Sequence, residues 1–147
     1  MRLVDVVPVP RRLAALLNHA QPTATATGRY EIRDADGGDT AELVIYSEIG
    51  GWFGGTAAEF AEQLAGITAP NLTVRLNSPG GSVWEGLAVA NLLRSHPSRV
   101  TVSVDGIAAS IASVIMLAGD EIVVQPQAQV MIHDAMGVTL GNPADHR

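Results

Sequence analysis

The chain contains no cysteine and no lysine. The first absence excludes disulfides, thiolate metal ligands and a cysteine nucleophile. The second makes all nine basic residues arginine, so neither Schiff-base chemistry nor a Ser-Lys dyad can be built within these 147 residues. Positive charge is scarce as well. The net charge is −6 with no long basic run, and nucleic acid is therefore not an expected partner. Apolar runs are short: the longest, Ile107–Ala118, carries two serines and falls well below the roughly 20 residues of a membrane span. No membrane partner is expected. Met1–Pro10 is interrupted by Asp5, Pro8 and Pro10 and makes a poor secretory segment, so the expected location is the cytoplasm. No two of the four histidines have the spacing of a metal-binding pair, and no metal or other cofactor is expected.

What is present is a globular composition. With 47% hydrophobic and 16% charged residues, the chain is long enough to enclose one core. Met1–Gly28 reads as an arm. Arg11–His19 has helical spacing of Leu13, Leu16 and Leu17, and the Thr/Ala-rich linker Gln21–Gly28 follows. One domain is expected over residues 29–147. Strand patterns at Tyr30–Arg33, Ala41–Ser47, Leu72–Leu76, Arg99–Val104, Glu121–Val124 and Gln129–His133 alternate with helix patterns. Thr56 with Glu59, and Ser82 with Glu85, have capping-box spacing and each open a helix. Val83, Leu87 and Ala90 are the expected apolar stripe of the second. A third helix is expected over Ser110–Ala118. This alternation predicts an α/β fold built of crossover units.

Three segments could carry chemistry. Asn77-Ser78-Pro79-Gly80-Gly81 places two glycines just before a helix start. Such a turn either simply reverses the chain or leaves backbone N–H groups to hold negative charge. Asp105–Ala109 reads as a small-residue turn leading to Ser110 at the head of an apolar helix. Ser110 is there either as an N-cap or as a nucleophile favoured by the helix dipole. His133 ends an apolar strand, either as a solvated residue or as a general base near neutral pH. Together, an oxyanion turn, a serine at a helix start and a histidine are the inventory of serine-nucleophile acyl transfer.

The three motifs in this order, Asn77–Gly81, Gly106-x-Ala108-Ala109-Ser110 and Met131-Ile132-His133, resemble the ClpP serine peptidase family. Ile45–Gly50 and Val104–Ser113 are most similar to the ClpP-like head maturation proteases of phages and prophages. The resemblance covers about Tyr30 to Arg147. It implies an α/β spiral of ββα units, the fold shared by ClpP and crotonase proteins. It also implies an ATP-independent serine endopeptidase acting on capsid or scaffold protein, and assembly into a homo-oligomeric ring. By resemblance Ser110 is the nucleophile and His133 its base, while the backbone N–H groups of Gly81 and Ile111 form the oxyanion hole. The substrate peptide is expected to lie as an added strand against Gly80, Ser82 and Val83.

The family's third triad residue is an aspartate well beyond the histidine, after a long helix. Gly141–Arg147 reads as the opening of that helix, so a truncated chain with an incomplete triad is expected. Asp134 neighbours His133 on a strand and should face away, and Asp145 has no reason to reach it. Two alternatives remain. One is an inactive structural remnant. The other is a crotonase-like acyl-CoA enzyme with Glu85 as a candidate acid.

Overall fold

The computed structural model describes residues 30–34, 38–51 and 55–137; the arm Met1–Gly28, the segment Gly141–Arg147 and Asp145 lie outside the described residues. The elements in chain order are β1 (Glu31–Asp34), β2 (Thr40–Ile45), α1 (Ala57–Ala65), β3 (Asn71–Ser78), α2 (Val83–Ser95), β4 (Arg99–Ala109), α3 (Ile111–Met116), β5 (Glu121–Val124) and β6 (Gln129–Met131). β1 pairs antiparallel with β2, and β2, β3, β4 and β5 follow as parallel neighbours. β6 lies beyond β5 in sequence and pairs parallel with the far end of β4. The α/β architecture expected from the alternation is therefore present, with the sheet mostly parallel.

One face of this sheet holds the core. Ala41, Leu43 and Ile45 on β2, Leu72, Val74 and Leu76 on β3, and Val100, Val102 and Val104 on β4 are all buried, as the two-residue period of a strand demands. Phe60 and Leu64 of α1, Val89, Ala90 and Leu93 of α2, and Ile111, Ala112 and Ile115 of α3 join the same cluster. Both helix starts form as the spacing predicts. The Thr56 side chain accepts from the Glu59 N–H, whose carboxylate binds back to the Thr56 N–H. The Ser82 hydroxyl accepts from the Glu85 N–H at 3.5 Å.

Two expectations are corrected. The buried face of α2 is Gly86, Val89, Ala90 and Leu93, while Leu87 is exposed. Apolar residues surround most of this helix, so spacing alone does not select a face. Gly86 selects it, because a Cβ there would lie 2.2 Å from the Ile111 side chain. The second correction bears on the site. Asp105–Ala109 is no turn: β4 continues through it to Ala109, because Ile107–Ala109 pair with β6 and Ala108 aligns with Ser78. Pairing on both sides overrides the weak strand propensity of a glycine-alanine run.

Candidate active site

Ser110 is where β4 stops and α3 starts. Its backbone, at φ 55° and ψ −126°, makes it the one non-glycine residue of positive φ among the described residues. Such a conformation costs about 1–3 kcal/mol and persists only where the surroundings impose it. The imposition is visible. The Ser110 N–H donates to the Met131 carbonyl at 2.9 Å. The Ser110 carbonyl accepts from the Ser113 N–H at 3.0 Å and from the Ser113 hydroxyl at 2.6 Å. The Ser110 hydroxyl, by contrast, makes no capping hydrogen bond. The N-cap alternative therefore fails. α3 has only six residues, so its dipole gives little; the sharp strand-to-helix turn is what presents the hydroxyl.

The glycine turn packs directly against this serine. β3 runs through Ser78, and the buried Ser78 hydroxyl accepts from the Gly80 N–H at 3.1 Å. Gly80 and Gly81 have φ +95° and +143°, a region that favours glycine. A Cβ on Gly80 would lie 2.6 Å from the Ala109 carbonyl oxygen and 2.8 Å from the Ser110 Cβ. The turn and Ser110 are thus in contact.

Two peptide groups are oriented here. A trans peptide points its C=O and N–H in opposite directions. The Gly80 carbonyl accepts from the Ile49 N–H at 2.8 Å, so the N–H of Gly81 in the same peptide points away from Ile49. The Ser110 carbonyl is held by Ser113, so the Ile111 N–H points away from Ser113. Each expected oxyanion donor belongs to a peptide whose carbonyl is fastened, and among the described residues it has no acceptor of its own. The Gly80 carbonyl and the Ser82 N–H are both taken up by Ile49. That leaves the groups of Gly81 for any added strand, with Gly80, Ser82 and the first helical residue Val83 flanking it.

His133 is exposed and lies two residues past the end of β6, rather than inside a strand as expected. Among the described residues no hydrogen bond joins it to Ser110; the Ser110 N–H bonds instead to the carbonyl of Met131, two residues before His133. Asp134, beside it, is exposed and makes no hydrogen bond to it among the described residues. Glu85, the acid of the crotonase-like alternative, accepts a 2.5 Å hydrogen bond from the Ala57 N–H at the start of α1. It fastens two helices together.

A polar network that sequence reasoning missed lies on the sheet face opposite the core. Asp105 accepts from Arg75 Nε at 2.7 Å, from the Ser103 hydroxyl at 3.2 Å and from the Tyr46 hydroxyl. Arg75 also contacts Glu42 at 3.5 Å. Partial burial, followed by the hydrogen bond to Asp105, pushes the Tyr46 hydroxyl up to about 12. The bond to Asp105 raises the Arg75 guanidinium above its usual value. These residues are 30 and 59 positions apart in the chain, and the only local signal was charged or polar residues recurring at alternate strand positions.

Comparison with known proteins identifies the family and the fold. The Clp protease family model matches residues 52–147, and the chain belongs to that family. Over 77 residues it is 38% identical to an ATP-dependent Clp protease proteolytic subunit of Bacteroides fragilis, covering 51% of this chain and 37% of that protein. Over 97 residues it is 35% identical to the same subunit of Chlorella vulgaris, covering 59% of this chain and 48% of the relative. The chain thus spans about a third to a half of the curated relatives it matches. Among solved structures, a ClpP1 variant from Listeria monocytogenes aligns with TM-score 0.59 at 27% identity, over 65% of this chain and 57% of that one. The ClpP protease catalytic domain of Plasmodium falciparum aligns with TM-score 0.55 at 31% identity, over 65% and 55% of the two chains. The fold is ClpP-like.

Proposed function

We propose that this chain carries the catalytic core of a serine endopeptidase. Ser110 attacks the scissile carbonyl, His133 takes its proton, and the N–H groups of Gly81 and Ile111 bind the oxyanion. The observation that carries the reading is the strained backbone of Ser110, held at three points while its hydroxyl stays uncapped against Gly80. The His133 imidazole moves onto the hydroxyl as substrate binds, since catalytic hydrogen bonds tighten in the substrate complex. It then protonates the leaving amine, and water repeats the sequence on the acyl-enzyme. The peptide lies as an added strand at Gly81, flanked by Gly80, Ser82 and Val83.

The substrate we infer is a capsid or scaffold protein cleaved in the cytoplasm during phage head maturation, on homo-oligomeric rings and without ATP. Ile45–Gly50 and Val104–Ser113 support the phage branch. The curated relatives are named ATP-dependent, so ATP dependence is part of the test. Purified protein is incubated with a scaffold protein and with casein, with and without ATP and an unfoldase. Cleavage of the scaffold protein without ATP, lost in Ser110→Ala, is the expected result. Cleavage only with the unfoldase would move the protein to the ATP-dependent branch. Cleavage that survives Ser110→Ala would remove the reading. A folded protein that cleaves nothing would favour the structural remnant.

A further inference from the structure

We propose that Asn77 is a positioning residue that sets the oxyanion turn against the nucleophile; this rests on the reading of Ser110 and Gly81 given above. β3 and β4 pair in register up to Leu76 opposite Val104, and pairing resumes with Ser78 opposite Ala108. Between these points Asn77 alone faces Asp105, Gly106 and Ile107. An irregularity of this kind interrupts the ladder and bends the longer strand. The Asn77 side chain closes the gap: its Oδ1 accepts from the Ile107 N–H at 3.1 Å. Gly106 provides the space, since a Cβ there would lie 2.6 Å from the same oxygen.

Both strands lead from this bond into the site. Along β3, Asn77 is followed by Ser78, which holds the Gly80 N–H, and then by Gly81. Along β4, Ile107 is followed by Ala108, Ala109 and Ser110. The other end of the irregularity is fixed by Asp105, through Arg75, Ser103 and Tyr46. Asn77 is therefore the side-chain link between the segment that orients the oxyanion donor and the segment that carries the hydroxyl. Misplacing reacting groups by about 1 Å can cost roughly 10²-fold in rate. Loosening this link should slow attack by Ser110 while leaving the fold in place.

The test compares wild type with Asn77→Ala, Asn77→Asp and Gly106→Ala. Asn77→Asp keeps the acceptor oxygen. Gly106→Ala leaves Asn77 in place but displaces its amide, and a shifted side-chain end costs the fold little. Labelling of Ser110 by a fluorophosphonate is resolved into probe affinity and inactivation rate, and amide exchange is followed by mass spectrometry. Asn77→Ala and Gly106→Ala are expected to slow inactivation by roughly 10- to 100-fold with affinity within about threefold of wild type. Asn77→Asp should stay within about threefold in both. Exchange should quicken at 80–82 and at 107–111 in the two slow variants. Wild-type inactivation rates in Asn77→Ala or Gly106→Ala, or an Asn77→Asp as slow as Asn77→Ala, would overturn the proposal. Should Asn77→Ala fail to fold, Gly106→Ala decides. A wild type that does not label would remove the catalytic reading instead. Exchange then decides the link, with quickening on both sides supporting it and quickening on one side or neither refuting it.

Discussion

The backbone N–H of Ser110 donates to the carbonyl of Met131 at 2.9 Å. This bond ties the end of β4 to the end of β6, two residues before His133. It helps force Ser110 into its positive φ, and it fixes where the chain carrying the histidine departs. The backbone of the proposed nucleophile and the point from which the segment of the proposed base leaves the sheet thus share one contact between strands. Several consequences can be measured.

Gly80→Ala places a methyl group 2.6 Å from the Ala109 carbonyl and 2.8 Å from the Ser110 Cβ, at a φ of +95°. The backbone term alone costs about 1–3 kcal/mol. Lower stability in urea and slower Ser110 labelling are both expected. A variant as stable as wild type would show that the turn is not packed against Ser110 as described.

Ser113→Ala deletes the hydroxyl that donates to the Ser110 carbonyl but keeps the backbone bond from residue 113. The loss in stability should be about 1 kcal/mol. The Ile111 N–H belongs to the peptide thereby loosened, so labelling of Ser110 should slow at unchanged probe affinity. Labelling at the wild-type rate would show that the backbone bond alone orients that peptide.

Glu85→Ala separates a fastening role from a catalytic one. Removing a carboxylate hydrogen-bonded to the Ala57 N–H should cost about 1.5–3 kcal/mol. Ser110 labelling should stay at the wild-type rate at a temperature where both proteins are folded. Abolished labelling in a folded variant would revive an acid role for Glu85.

Tyr46 predicts a pH dependence. Its hydroxyl loses its proton at about 12 in the folded chain, against 10.0 for a free tyrosine. Burial first, and then the hydrogen bond to Asp105, make the folded state hold this proton more tightly, so the stability linked to the protonated hydroxyl is full below pH 10.0 and fades as pH rises toward about 12. Tyr46→Phe should be less stable than wild type near neutral pH, and its stability should fall less steeply across that alkaline window. Denaturation curves with parallel slopes for the two proteins would contradict the assignment. Arg75 stays charged throughout, since Asp105 raises it further.

Much of this architecture was legible from sequence because its signals are local. Thr56 with Glu59 and Ser82 with Glu85 mark two helix starts, and both appear. The alternation in Leu72–Leu76 marks a strand buried on one side, and β3 is that strand. The surroundings of Ser110 were less legible. Nothing in Asp105–Ala109 says strand; its pairing partners, β3 and β6, supply that. Nothing around Ser110 says positive φ, which follows from contacts to Met131 and Ser113. The bond from Asn77 to Ile107 spans 30 residues and has no local trace. Motif order, rather than propensity, pointed to Ser110.

The most direct test of the account is mass-spectrometric detection of a fluorophosphonate adduct on the purified chain, with Ser110→Ala and His133→Ala alongside. The account predicts a single adduct on Ser110, absent in Ser110→Ala and strongly reduced in His133→Ala. No adduct on a folded wild-type chain, or an adduct that persists when Ser110 is replaced, would contradict it.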